Sequence, residues 1–225
     1  MRQALLAVIT LLSVPACHSR GTATRTPPGD PHASSAPPAL NGPSAPAIAL
    51  PRTTKWELDP ENSSVEFTCK HVFSNVRGMF KQPSGTVTLD EATPANSKVD
   101  ATIDASTITT GVEERDNHLK SPDFFDVAKY PAITFVSTSV AKSSATSYSV
   151  TGNLTMHGVT RPVTLAVTAS APFKHAGGIR RGIEATTSVN RKDFGLVWDY
   201  PGEGAGVVVG DNIKITVDAE LVLQP

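Results

Sequence analysis

Through residues 64–221, apolar and polar side chains alternate with a period of two, in one run after another. Successive side chains of a strand point to opposite faces, so each run has one face for a core and one for water. Val65, Phe67, Cys69 and His71 share a face against Glu66, Thr68 and Lys70. The clearest run sets Ile213, Ile215, Val217, Ala219 and Leu221 against Lys214, Thr216, Asp218 and Glu220. Val87 with Leu89, Val99 with Ile103, Ile133 with Phe135, Val150 with Met156, Val163 with Val167, and Ile183 with Val189 bring the total to about eight strands. Turn chemistry falls between the runs, at Pro83-Ser84-Gly85, Ala92-Thr93-Pro94, His157-Gly158 and Gly210-Asp211. One stretch, residues 111–120 (GVEERDNHLK), breaks the period; it is polar, holds good helix formers and stops before Ser121-Pro122. It reads as a short helix.

One-sided strands with so little helix suggest a sandwich or a barrel. Closure leaves no free edge. An eight-stranded barrel is about wide enough for side chains to fill or for one small ligand. Ala101, Ala105, Gly152, Ala185 and Ala219 fall on the inner face and leave room there, although small residues also fit a barrel's taper. The expected fold is all-β: an extended eight-stranded antiparallel β-barrel with the short helix at one opening.

The front of the chain is different. It begins MRQALLAVITLLSVPAC, with Arg2 ahead of an apolar run and small residues behind it. Residues 1–17 read as a signal peptide, too short to span a bilayer as a permanent helix. Val14-Pro15-Ala16-Cys17 is similar to a bacterial lipobox, which implies acylation of Cys17; Pro15 is unusual there, and Val14-x-Ala16 also fits an ordinary signal-peptidase site. Residues 18–54 carry eight prolines among Ala, Ser, Thr and Gly, with no strand or helix period. Such a segment cannot bury enough apolar surface to offset its ordering entropy and favours an extended path. It is expected to be a disordered linker, spanning roughly 120 Å if fully stretched, and it serves either as a tether or as a plain spacer. The domain is expected over 55–225.

Charge narrows the function. Residues 55–225 hold 16 Lys/Arg and 20 Asp/Glu, with no basic stripe, so the electrostatic footprint of a nucleic-acid binder is missing. Cys17 and Cys69 are the two cysteines, one in the export signal and one in a strand, and no disulfide is expected between them.

Several blocks of the domain carry a family resemblance. Trp56-x-Leu58-Asp59 opens it, followed by Ser64-Val65-x-Phe67, His71 and Gly78-x-Phe80. The most diagnostic block is RDNHLKSPDFFDVAKYPAITF at residues 115–135, and GNLTMHGVTRPVTL at 152–165 and NRKDFGL at 190–196 complete the set. In this order and spacing the domain resembles the YceI-like, polyisoprenoid-binding proteins of bacteria. The resemblance implies a lipocalin-like barrel with a long internal tunnel, export to the periplasm, and no established chemistry. It also implies a bound polyisoprenoid, isoprenoid quinone precursor or fatty-acid amide as partner, and no cofactor. Membrane attachment would run through Cys17, and a homodimer is left open.

The ligand-binding candidates are His71, Phe80, Arg115, Asp116, His118, Phe125, Phe135, Met156, Phe194 and Trp198. His71 falls inward by parity with Val65 and Phe67, as a core histidine or as part of the cavity lining. Arg115, Asp116 and His118 lie in the one non-strand block, where a lipid head would meet them; the alternative is a salt bridge pinning the helix to the barrel. Phe124 and Phe125 are adjacent, so only one points inward if the backbone is extended. His157 sits in a turn and is expected to stabilise it. Two other functions compete with this one. An enzyme acting on the lipid would use His118 and Asp116 as acid and base, but no nucleophile elbow or phosphate loop supports it. A metal protein would use Cys69, His71, His118 and His157, but their spacing is not that of a metal site.

Overall fold

Alternating runs need partners on both sides, and the chain supplies them by antiparallel pairing throughout. The computed structural model describes residues 48–71, 74–175, 177–199 and 209–225. The expected signal peptide with Cys17, and the linker as far as residue 47, lie outside these residues. The strands are β1 (Thr53–Leu58), β2 (Ser64–His71), β3 (Ser74–Lys81), β4 (Ser84–Asp90) and β5 (Lys98–Asp104). A helix, α1 (Glu113–Lys120), follows. Then come β6 (Ala132–Lys142), β7 (Ser147–Met156), β8 (Val159–Ala169), β9 (Phe173–His175), β10 (Gly178–Asn190) and β11 (Val209–Leu223).

The wall closes because β11 pairs with β10 from Arg180↔Val222 to Asn190↔Asn212 on one side. On its other side β11 meets β1 at Trp56↔Leu223 and β2 at Ser64↔Asp218. β1 and β2 are therefore two halves of one bent stave. The bend is a 3-10 turn over Pro60–Asn62, where Asp59 accepts the Glu61 amide proton. β3 and β4 make a second bent stave, β3 against β2 and β4 against β1, turning at Gln82 and Pro83. Going round the ring, β11, the two bent staves, β5, β6, β7, β8 and β10 give the closed eight-stave barrel. β9 adds a short ribbon on the first residues of β10.

The expected barrel with one short helix is what the chain forms, and the local differences have physical causes. β1 begins at Thr53, two residues ahead of the expected start of the domain. β3 shows no clear alternation in the sequence because Gly78 interrupts its apolar face. That glycine lies under the Phe67 ring, where a Cβ would collide. Gly210-Asp211, expected as a turn, lies inside β11, where the register against β2 shifts between Val209 and Ile213. Such a shift absorbs turn-forming residues without ending the strand. A second shift, between Ser137 and Ser139 against β7, explains why β6 buries Ile133 and Phe135 but then Val140. His157 (φ 51°) and Gly158 (φ 73°) form the two-residue hairpin expected between β7 and β8.

α1 has Glu113, Glu114 and Asp116 in its first turn and His118 and Lys120 in its last, matching the helix dipole at both ends. Inward side chains form two apolar clusters. One, nearest α1, includes Phe80, Ile108, Ile133, Met156 and Phe194. The other, towards the start of β10, includes Trp56, Leu89, Tyr148, Val150 and Leu221.

Candidate functional site

The two clusters do not fill the barrel. A cavity of about 300 Å³ runs between and through them, lined from every stave. That is at the lower end of the range for small-molecule sites, about 300–1,000 Å³. Along β10 its lining runs from Arg181 to Val189, a rise of about 26 Å for a strand. Most lining residues are Val, Ile, Leu, Ala or Phe, and no carboxylate is among them. Apart from Thr187, partway along β10, the polar exceptions gather at the two ends.

At the α1 end, Phe80 sits edge-on to Phe125 at 5.5 Å between ring centroids and tilted to Phe67 at 5.9 Å. Leu119 of α1, Phe124 and Phe125 complete this end. Both adjacent phenylalanines reach the cavity because residues 121–129 are mostly turns rather than extended chain. The expectation that only one could do so assumed a strand. Outside Phe124, His118 packs edge-on against the rings of Phe124 and Trp198, each at 5.1 Å. Its Nε2 lies 3.0 Å from Asp123 Oδ2.

Arg191, at the end of β10, is also buried at this end, and every nitrogen of its guanidinium is engaged. It donates to the carbonyls of Leu196 (2.6 Å), Trp198 (2.8 Å), Gly210 (3.2 Å) and Val209 (3.3 Å) and to the carboxylates of Asp199 (2.7 Å) and Asp211 (3.2 Å). Its hydrogen bond to Asp199, with those of Lys192, holds that carboxyl below the usual range.

The opposite end is built around Trp56, which is fully buried. The Arg181 guanidinium lies 5.6 Å from the Trp56 ring centroid. Arg181 donates to Ser170 O at 3.0 Å and to Glu91 Oε1 at 3.3 Å. Glu91 also accepts from Lys142 Nζ (3.1 Å) and Tyr148 Oη (3.2 Å). Burial pushes the Glu91 carboxyl up, but the contacts from Lys142 and Arg181 outweigh it and hold the carboxyl below its ordinary value. The series runs from solvent inward, with Glu91 41% exposed and Arg181 only 6%.

Of the residues expected to bind ligand, Phe80, Phe125, Phe135 and Met156 line the cavity. The others lie elsewhere. His71, expected inward by parity, is exposed: it is the last residue of β2, beyond the shifted register of β11. Arg115 donates to Thr110 Oγ1 (2.8 Å) and Thr110 O (3.3 Å) instead of facing the cavity. Asp116 accepts from Thr109 Oγ1 (2.9 Å) and the Thr110 amide (2.7 Å). Burial would raise the Asp116 carboxyl, but these bonds and that of the Thr110 hydroxyl prevail and lower it. Arg115 and Asp116 thus bind the helix to the strand-like segment before it, through the hydroxyls and backbone of Thr109 and Thr110, neither as a head-group site nor as the alternative salt bridge. His118 and Trp198 stand behind Phe124, and Phe194 is buried in the wall of the α1 end without reaching the cavity. His157 Nδ1 contacts Phe194 O at 3.3 Å, bracing the β7–β8 turn.

The acid–base pair is not assembled either, since Asp116 is bonded to Thr109 and Thr110 while His118 faces Asp123. Among the described residues no three His, Cys, Asp or Glu side chains gather as a metal site. Burial pushes the Cys69 thiol up, away from nucleophilic character. Trp56, Tyr148, Arg181 and Arg191 were not anticipated. Parity gave a signal for Arg181, which shares the inward face of Ile183, Ala185, Thr187 and Val189.

An antiparallel barrel with an apolar, ligand-sized interior is a lipocalin-like cavity barrel. The family model of the YceI-like domain matches residues 56–221, and the chain belongs to the YceI-like family. A UPF0312 protein of Yersinia enterocolitica is 40% identical over 147 residues, 64% of this chain and 76% of its own. A UPF0312 protein of Pseudomonas savastanoi is 39% identical over 142 residues, 62% of this chain and 74% of its own. Among solved structures, BcnA of Burkholderia cenocepacia superposes with a TM-score of 0.64 at 27% identity, covering 72% of this chain and 98% of its own. A polyisoprenoid binding domain from Saccharophagus degradans has a TM-score of 0.53 at 16% identity, covering 75% of this chain and 98% of its own, a likeness of fold.

Proposed function

We propose that this protein is an exported lipid-binding barrel that holds one long apolar chain, a polyisoprenoid or a comparable fatty-acid-derived lipid, along the cavity. The observation that carries the reading is the cavity itself: long, narrow, and lined by apolar side chains from every stave. A slender hydrocarbon matches that shape, whereas a compact polar metabolite would find few partners along its length. The fold shared with a polyisoprenoid binding domain supports the same ligand class. Each buried isoprene unit contributes on the order of 2–3 kcal/mol before association costs. Affinity for a series of polyprenols therefore rises steeply with length until the cavity is full. Mass spectrometry of organic extracts from the purified protein should find a stoichiometric lipid, and a flat length dependence in the polyprenol series would overturn the reading.

The export signal and the lipobox-like Val14-Pro15-Ala16-Cys17 support placement on the periplasmic side of a membrane, anchored by acyl chains on Cys17 and held off it by the Pro-rich linker. Cys17→Ser should then move the protein from the membrane fraction to the soluble one. A wild-type protein already soluble after export would leave plain secretion.

A further inference from the structure

The two ends of the cavity differ in what their buried arginines have left to give. Arg191 has no free donor direction. Arg181 does: its Nε is buried and has no hydrogen-bond partner. Buried polar atoms are nearly always paired, and Arg181 is itself one of the residues that line the cavity, so its orphan donor points to a missing acceptor. Arg180 Nε is also unpartnered, but that side chain lies outside the cavity lining and is claimed by two carboxylates, Asp59 and Glu220.

We propose that the ligand lies head-first at the Trp56 end, and that Arg181 receives an oxyanion head, a phosphate or a carboxylate. This rests on the lipid-binding reading and adds a direction and a head-group chemistry to it. The charges at this end favour an anion. Arg181 and Lys142 share the single carboxylate of Glu91, one positive charge in excess within that cluster; Arg52 and Asp90 nearby are already paired at 3.5 Å, and the opposite excess of Asp59 and Glu220 over Arg180 lies outside the cavity lining. A guanidinium is suited to phosphate and carboxylate oxygens, and its bonds to them are charge-assisted. Ser97 and Tyr148 are the other polar side chains lining this end. The Glu91–Lys142 pair is half open to water, so the head would sit at the edge of the dry interior while the tail runs toward Phe80 and Phe125.

Two measurements on the purified protein test this. In the first, geranylgeranyl phosphate is compared with geranylgeraniol, and palmitate with hexadecanol, by displacement of a fluorescent fatty acid. The wild type should prefer each anion over its alcohol by about 10- to 100-fold. Arg181→Met should remove that preference while leaving alcohol affinity within about threefold, given that the apolar lining is kept. A preference confined to one pair identifies which oxyanion is read. No preference in the wild type, or a preference that survives Arg181→Met, overturns the proposal. If neither anion nor alcohol binds the wild type, the lipid-binding reading itself has failed.

The second measurement does not depend on the stability of an Arg181 variant. The chain has two tryptophans, Trp56 and Trp198. In a Trp198→Phe protein, 2-bromohexadecanoate should quench Trp56 more strongly than 16-bromohexadecanoate does. Equal or reversed quenching places the head elsewhere and overturns the assignment.

Discussion

Both ends of the barrel bury an arginine contributed by β10 or its immediate extension, yet the two are used in opposite ways. Arg191 is a bolt. Its guanidinium ties the carbonyls of Leu196 and Trp198 to those of Val209 and Gly210, so residues on either side of 200–208 converge on one side chain. Arg181 makes fewer bonds, lies against Trp56, and keeps one donor unused. Burying a charge is tolerated only when partners compensate it. Full compensation makes a structural fastener, whereas partial compensation leaves a receptor for something else.

The contrast sets the expected order of effects. Arg191→Met should be the most damaging change, since it strips four backbone carbonyls of a shared donor and leaves Asp199 and Asp211 without it. A loss of about 3–5 kcal/mol is expected, seen as a fall in melting temperature of roughly 10 °C. Arg181→Met should cost less, about 1–2 kcal/mol, because Glu91 is open to water and retains Lys142 and Tyr148. If thermal denaturation ranks the two variants the other way, Arg181 is the fastener and the contrast is wrong.

Acid should act on both ends in the same direction. The folded-state values of Asp116 and Glu91 both lie below their ordinary ones. Their contributions are therefore complete above the unfolded values near about 4 and are lost as pH falls through the folded ones. Melting temperature should fall on acidification below about pH 4. Asp116→Asn should flatten that dependence more than Glu91→Gln does, since Asp116 is buried and Glu91 is 41% exposed. The smallest effect is expected for His118→Ala, about 0.5–1 kcal/mol from lost edge-on ring contacts. Lipid affinity measured well below the new midpoint should stay at the wild-type level, because His118 stands behind Phe124.

How far the sequence could be read depended on whether the period of two held. Where strands were long and regular, as in β7 from Val150 onward and β11 from Ile213 onward, the inward face was legible residue by residue. Parity failed at His71 because a strand's last residue need not obey it. It stopped at Phe135 because a register shift moves the inward face from Phe135 to Val140. The one conspicuous non-strand block points to a head-group site, but Arg115 and Asp116 are occupied by Thr109 and Thr110. Their neighbours in three dimensions are set by a short segment with no period at all. Arg181 was legible by parity but lay hidden in a doublet with Arg180, where two adjacent charges read as a solvated surface. Arg191 follows the end of its strand, and its acceptors are mainly backbone carbonyls, which a side-chain pattern does not record.

The closing role of β11 has a consequence in time. This strand of 15 residues follows every other strand in chain order, and it pairs with β1, β2 and β10. Without β11, β10 and β1 lose their common neighbour, and the remaining strands would be an open sheet with two unpaired borders and one greasy face turned to water. Such an intermediate is prone to aggregate, and the pairing that ends it joins segments from the two extremes of the domain, which is slow. A chain halted before β11 is thus not a smaller barrel but a sticky sheet.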